Sequence, residues 1–390
     1  MKRIIGISNS TLRSAIDAVL IMAIGMGFGR FAFTAIYPYM LEEGILSLQV
    51  GSFTASVNYA GYLLGALLAV RIRAHNAHYL CLWSTIGTVI CLAILSISSS
   101  IPLIIFIRGV AGIFSSLAMV SASLWLLEHR KQRHLSPFLY SGVGLGIALS
   151  AELVVLGTYT GLVSKELWLL LAISSLLLAL IVIPGLKKDT QTSNTKLPVN
   201  LSFTHFTITN PLPLVIVYGL AGFGYIITAT YLPLLVKSAL PELDSAHVWA
   251  IFGLGAIPSC FLWHILHQKW GTKISLFANL SLQAFGVILP LILPSTIGYL
   301  VSAFIVGGTF MGTVTITMPV AQYLTRQTKN NLIAIMTVVY SIGQIIGPIV
   351  TNTLFAVTHS LDSSLVTASI ALVIAAVISL RGNNVIRLNT

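Results

Sequence analysis

Three ionisable side chains, Arg30, Arg108 and Glu152, stand inside long apolar runs of this sequence, and a fourth, Asp17, stands near the start of the first run. A charge at membrane depth costs about 2.5–3.5 kcal/mol on insertion scales, so such a group normally faces a partner, a watery cavity or a ligand. A guanidinium there is a planar, two-pronged donor matched to carboxylate or phosphate. A carboxylate there either carries a proton, since desolvation and a nearby arginine act on its ionisation in opposite directions, or stays in a permanent ion pair. Glu152 cannot neutralise both Arg30 and Arg108. If it pairs with one, the other is left for backbone carbonyls, water or an anionic ligand.

The apolar runs dominate the chain. Of 390 residues, 56% are hydrophobic and 8% charged, against about 25% charged in an ordinary soluble domain, and the mean hydropathy is +0.94. The composition is that of an all-α integral membrane protein. Crossing the hydrocarbon takes about 20 apolar residues, and twelve such runs are found: 15–41, 48–70, 79–99, 101–127, 136–160, 166–185, 211–236, 246–268, 273–293, 296–323, 332–357 and 363–381. At a rise of about 1.5 Å per residue, Arg30 lies roughly 16 Å, Arg108 roughly 10 Å and Glu152 roughly 12 Å from the outer ends of their runs. All three can occupy the outer half to middle of the first six helices. The first run is too long for a signal-peptide core and more follow it, so no cleaved leader is expected.

Most of the 21 Lys and Arg fall in alternate connections if the N-terminus is cytoplasmic, with only Lys165 and Lys237 outside and Arg30 and Arg108 in the membrane. That asymmetry predicts both termini inside. It also accounts for the net charge of +11 without a nucleic-acid partner. Cys81, Cys91 and Cys260 are an odd number within apolar runs, which argues against disulfides and against a metal site. No Walker-type phosphate loop is found, and no cofactor is implied.

Sliding the chain by half its length sets "GFGRFAFTAIYPYML" over "GFGYIITATYLPLLV", so that Gly27, Phe28, Gly29 and Pro38 fall on Gly222, Phe223, Gly224 and Pro233. A weaker echo pairs Tyr140-Ser141 with Tyr340-Ser341. Such internal similarity is the mark of a repeated transporter fold. It divides the chain into six-helix bundles at 1–185 and 211–390 with a cytoplasmic linker at 186–210. Small residues four apart, which let helix backbones approach closely, recur at Gly25/Gly29, Gly61/Gly65, Gly142/Gly146 and Gly343/Gly347, and Gly27 sits between the first pair. These helix-packing glycines suit halves that rock as well as a static bundle.

With its two halves and central loop, the whole chain resembles the major facilitator superfamily. "GFGRFAFTAIYPYM" followed by "SVNYAGYLLGALLA", together with "GVGLGIAL" and "GQIIGP", resembles the YbfB/YjiJ-like bacterial branch. "FIRGVAGIFSSLAMV" is similar to the superfamily's fourth-helix motif, whose arginine, here Arg108, is associated with proton coupling. "SGVGLGIALSAEL" is similar to the fifth-helix motif of proton-driven exporters but lacks its Gly-Pro pair, and "GALLAVRIRAHNAHYL" lacks the superfamily's loop aspartate.

The resemblance implies that the first helix of each half lines a central cavity. Arg30 then has two roles open to it: binding an anionic substrate group, or a structural lock to Glu152 and exposed carbonyls. Tyr225, its counterpart in the second half, gives the opposite wall a phenol. Asn58 and Gln344 are either cavity residues or bonds between helices. Tyr37 and Tyr231 read as interface anchors. Glu152 is the expected proton carrier, with Arg108 in the coupling. The chain is thus expected to be no enzyme but a secondary transporter of a small organic solute, proton-coupled and favouring anions, in the bacterial inner membrane. Its partners would be substrate, proton and membrane lipid, and it would work as a monomer. Proton-antiport export of amphiphilic compounds or sugars is the alternative.

Overall fold

The computed structural model describes residues 9–72, 74–187, 211–240, 242–327 and 332–381, and no β-strand occurs among them. In chain order the helices are α1 (Asn9–Met22), a π-helical stretch (Ala23–Phe31), α2 (Ala32–Glu42), α3 (Leu48–Ala69), α4 (Ala77–Ile97), α5 (Ile101–Ser123), α6 (Ser136–Tyr159), α7 (Ser164–Lys187), α8 (Leu212–Ala239), α9 (Ser245–Ile292), α10 (Thr296–Gln327), α11 (Leu332–Thr358) and α12 (Asp362–Arg381). A second, short π-helical stretch, Leu124–His129, continues α5. The expected linker at 186–210 lies outside the described residues from 188 onward.

Among the described residues, ten segments are long and apolar enough to cross a membrane. One of them, α9, holds two of the runs read from the sequence. It turns between them at Gly271, whose φ of +73° an L side chain rarely adopts. The helix α3 is not among the ten, because Gln49, Ser52, Asn58 and Tyr59 dilute its apolar content. Local signals start several helices: the Ser47 hydroxyl accepts from the Val50 amide before α3, Asp244 accepts from the Ala246 amide before α9, and Pro102 and Pro137 occupy first turns of α5 and α6.

Large apolar side chains face outward, Phe106, Leu177 and Trp83 among them, while Asp17, Arg30, Arg108, Asn58 and Gln344 are buried. That arrangement suits a hydrocarbon solvent, which gives no hydrophobic drive to helix association, so close packing and interhelical hydrogen bonds must hold the bundle. A Cβ on Gly27 would overlap the backbone of Gly146 on α6, and one on Gly61 the carbonyl of Gly109 on α5. Gly65, Gly142, Gly146 and Gly343 likewise leave room for a facing backbone, whereas Gly29 and Gly347 abut side chains, Thr88 and Ile226.

The main helix pairs that join the first six spans to the rest are α6 against α9, where Gly144 and Gly253 meet, and α3 against α11, where the Ser56 hydroxyl donates to the Ile345 carbonyl at 3.0 Å. Tyr37 and Tyr231 are buried and not at an interface with the headgroups. The Tyr37 hydroxyl donates to the Leu48 carbonyl at 3.0 Å and that of Tyr231 to Ser52 Oγ at 2.7 Å, so each phenol satisfies its polar end within the protein.

Candidate functional site

The site begins with the winding of the first span. Between α1 and α2 nine residues, "AIGMGFGRF", adopt the wider π-helix, and all nine are buried. A π turn shifts each backbone bond by one residue and leaves carbonyls without an amide, which is why such turns are rare away from functional sites. Side chains donate to carbonyls along this stretch. Ser115 Oγ donates to the Gly25 carbonyl at 2.6 Å, Arg108 Nη1 and Nη2 to the Gly29 and Arg30 carbonyls at 2.8 Å each, and Trp249 Nε1 to the Phe31 carbonyl at 3.0 Å. The Arg108 guanidinium, bonded through both terminal nitrogens while its Nε has no hydrogen-bond partner, lies over the Phe33 ring.

That scaffold fixes Arg30, which is 3% exposed. Its Nη2 donates to Gln344 Oε1 at 2.8 Å, and Gln344 Nε2 donates to the Tyr225 hydroxyl at 2.5 Å. The guanidinium lies 4.0 Å from the centre of the Tyr62 ring, with Tyr59 and Phe31 also in reach. No carboxylate lies within 4.0 Å of Arg30 or Arg108 among the described residues. Arg30 Nε has no hydrogen-bond partner, and neither do the hydroxyls of Ser116 and Ser341.

Arg30, Ser116 and Ser341 line one cavity of about 320 Å³, together with Tyr225 and Gln344. It runs past Met119 and Met318 to the exposed side chains of Glu128 and Gln322. The other end is closed. The Thr34 hydroxyl donates to the Ala229 carbonyl at 2.9 Å, Tyr59 and Thr230 share a hydroxyl bond of 2.9 Å, and Tyr39 and Thr158 converge on Asp244 at 2.5 and 2.8 Å. An ion pair, Lys237 to Glu42 at 2.9 Å, lies beyond them. Thr34 and Ala229 are 195 residues apart, the same offset that aligns Gly27 with Gly222. Equivalent positions of the two repeats therefore touch across the seal.

Of the residues singled out from the sequence, Arg30, Tyr225 and Gln344 meet at this cavity. Asn58 does not: it is wholly buried and donates to the Arg108 carbonyl at 2.7 Å, bonding α3 to α5. Glu152 differs from expectation more sharply. It is 52% exposed, and its carboxylate faces His247 Nδ1 at 3.0 Å, so it neutralises neither arginine. Its helix turns that position away from the first span and toward the start of α9. Asp17 pairs with Arg13 at 3.1 Å near the start of α1.

Sequence reasoning missed Ser115, Trp249, Tyr62, Ser116 and Ser341 as site residues. One signal was present for the last: the Tyr140-Ser141 and Tyr340-Ser341 echo puts both tyrosines on the cavity wall.

Residues 22–380 match the family described as "Uncharacterised MFS-type transporter YbfB". No curated protein matches the chain. Among solved structures, a bacterial homologue of the human lysosomal transporter Spinster, inward-facing and unoccupied, superposes with a TM-score of 0.69 over 97% of this chain and 98% of that one, at 14% identity. At that identity the likeness is one of fold.

Proposed function

Since the chain belongs to the YbfB-type family of major facilitator transporters, and is thus a multi-pass membrane transporter and not an enzyme, we propose that it carries a small organic anion by alternating access about Arg30. The observation that carries this reading is the buried guanidinium itself, which lines the cavity with no carboxylate within 4.0 Å among the described residues. A cation kept in that state at membrane depth is costly unless an anion visits it.

Taking α9 as two spans and adding α3 gives twelve, in bundles at 1–185 and 211–390. The loop charges orient both ends to the cytoplasm. In that frame the sealed end is outside and the cavity opens inward, so the conformation is one in which substrate is released to, or taken from, the cytoplasm of a bacterial cell by a monomer in the inner membrane. Arg108 acts as a positioning residue, holding the first span wound so that Arg30 points at the cavity. Coupling to protons rests with Glu152, whose carboxylate and the His247 imidazole can exchange a proton where α6 meets α9. Export of amphiphilic compounds is the second reading, favoured by the methionines at 26, 119, 311 and 318 in the cavity wall.

The test is uptake into proteoliposomes under an imposed pH gradient with a panel of labelled organic acids. Accumulation by the wild type that disappears in Arg30→Gln supports the anion reading, and accumulation that no longer follows the pH gradient in Glu152→Gln supports the coupling. Unchanged substrate affinity in Arg30→Gln would overturn the first.

A further inference from the structure

Outside the cavity of Arg30, a second arginine meets apolar surface where the chain turns from α3 into α4. An open groove of about 450 Å³ is lined there by Arg71 and Ile72 on the turn and by Asn76, Tyr79, Leu80 and Trp83 at the start of α4. The last four stand at helical spacing, so they share one face. That face points outward: Tyr79 is 59% and Trp83 64% exposed, and the exposed side chains of Ile90 and Ile97 continue it along the helix.

Arg71 is exposed and forms no ion pair among the described residues. The Asn76 side chain makes no capping bond to α4. The neighbouring sequence offers no acid, since neither Asp nor Glu occurs between Glu43 and Glu128. A guanidinium in that setting is matched by a ligand that is anionic at one end and apolar at the other. Tyrosine and tryptophan side chains settle at the level of lipid headgroups, and Ile90 lies about 10 Å deeper along α4 than Trp83. A phospholipid has both ends: a phosphodiester for the planar fork of Arg71 and acyl chains for the stripe of Trp83 and Ile90. A headgroup that bears an amine would bring a second cation beside Arg71, with no carboxylate to receive it.

We infer that this groove binds an anionic phospholipid without a headgroup amine, of the phosphatidylglycerol type, with its phosphate at Arg71 and Asn76 and its chains along the outer face of α4. Basic pockets at the ends of membrane helices hold anionic headgroups in this way. The site is separate from Arg30 and does not depend on what the cavity carries. It ties the turn between α3 and α4 to the leaflet it faces.

The experiment is native mass spectrometry of the detergent-purified full chain titrated with phosphatidylglycerol, with phosphatidylethanolamine of the same acyl chains, and with soluble glycerol 3-phosphate. The expected result is one phosphatidylglycerol bound about tenfold or more tighter than phosphatidylethanolamine, a preference that Arg71→Gln removes. Arg133→Gln, which changes an exposed base outside the groove, leaves the preference intact. A second readout keeps Arg71 in place: phosphatidylglycerol with brominated chains quenches tryptophan fluorescence in the wild type and does so less in Trp83→Phe. Equal affinity for the two lipids would overturn the inference, as would a preference that survives Arg71→Gln or quenching unchanged in Trp83→Phe. A preference lost equally in Arg133→Gln would assign it to diffuse surface charge and overturn the groove. Displacement of the lipid by glycerol 3-phosphate at a comparable concentration would mark a site for free phosphate esters and overturn the lipid.

Discussion

The first span and α8 share the Gly-Phe-Gly frame and the proline that follows it, yet they are built differently. In the first, nine residues wind as a π-helix around a buried arginine. In the second, the same stretch is α-helical and carries Tyr225. The cause lies on the neighbouring helix. The offset of 195 that aligns Gly27 with Gly222 sets Arg108 over Ala303 and Ser115 over Phe310. In the first half Arg108 and Ser115 donate to backbone carbonyls of the π-wound stretch. In the second half their counterparts have no donor to give, and any carbonyl released from an α-helix there would lack those partners, at a cost of about 1–3 kcal/mol. Phe310 instead stacks on Tyr225. One duplicated frame has thus yielded an electrostatic wall and an aromatic wall facing each other.

Removing the donors that make the first half different has the largest expected effect. Arg108→Leu leaves the Gly29 and Arg30 carbonyls without their charged donors and lowers the stability of the detergent-purified protein by about 3 kcal/mol or more, measured by chemical denaturation. Transport falls with it, because Arg30 loses its aim. A stable variant with normal transport would mean that the winding does not depend on Arg108.

Arg30→Gln keeps a hydrogen-bonding side chain and removes the charge, which makes the two walls alike in charge. Substrate affinity is expected to fall about 10- to 100-fold, the range for losing a hydrogen bond to a charged group, with a smaller change in melting temperature. Isothermal titration with the preferred acid checks it. Gly27→Ala and Gly224→Ala compare packing in the two halves. The first forces the Gly146 backbone away and costs about 1–3 kcal/mol. The second presses on the buried Leu372 side chain and on no backbone, so it is expected to cost less than the first. Equal losses would show that the halves pack with equal tolerance.

The smallest effect is at the seal. Thr34→Val deletes a single bond between equivalent positions of the repeats, worth about 1 kcal/mol, and shifts the population toward states open at that end. Faster labelling of a cysteine introduced at position 230 by an impermeant thiol reagent from that side would register the shift.

Much of the fold could be read from the chain because a bilayer allows few solutions. Backbone groups in hydrocarbon must be paired within a segment, so long apolar runs are helices, and their boundaries agree with the observed ones to within several residues in most cases. The break inside α9 was legible too: Gly271, at a φ of +73°, falls between the apolar runs 246–268 and 273–293 and separates two helices there. The site was legible only in part. Arg30 and Tyr225 emerged from the repeat, and Gln344 from its polarity in an apolar run. The direction in which Glu152 faces was not legible, because depth along a helix does not tell which way a residue points. Asn58 is as polar as Gln344 and as deep, yet bonds a neighbouring backbone, a choice made by the packing of α3 on α5.

The sequence by itself determined the membrane class, the helical runs, the repeat and the presence of two arginines that a single deep acid could not neutralise. Each of these follows from composition and order along the chain. Only the tertiary structure decided which arginine is spent on the backbone and which faces the cavity. It also decided that the acid lies elsewhere and that Tyr218, Tyr225, Phe310 and Tyr340, from three helices, stack on one another beside the cavity. Those outcomes depend on the rotation and approach of helices distant in sequence, where a turn of one residue moves a side chain by 100° around its axis.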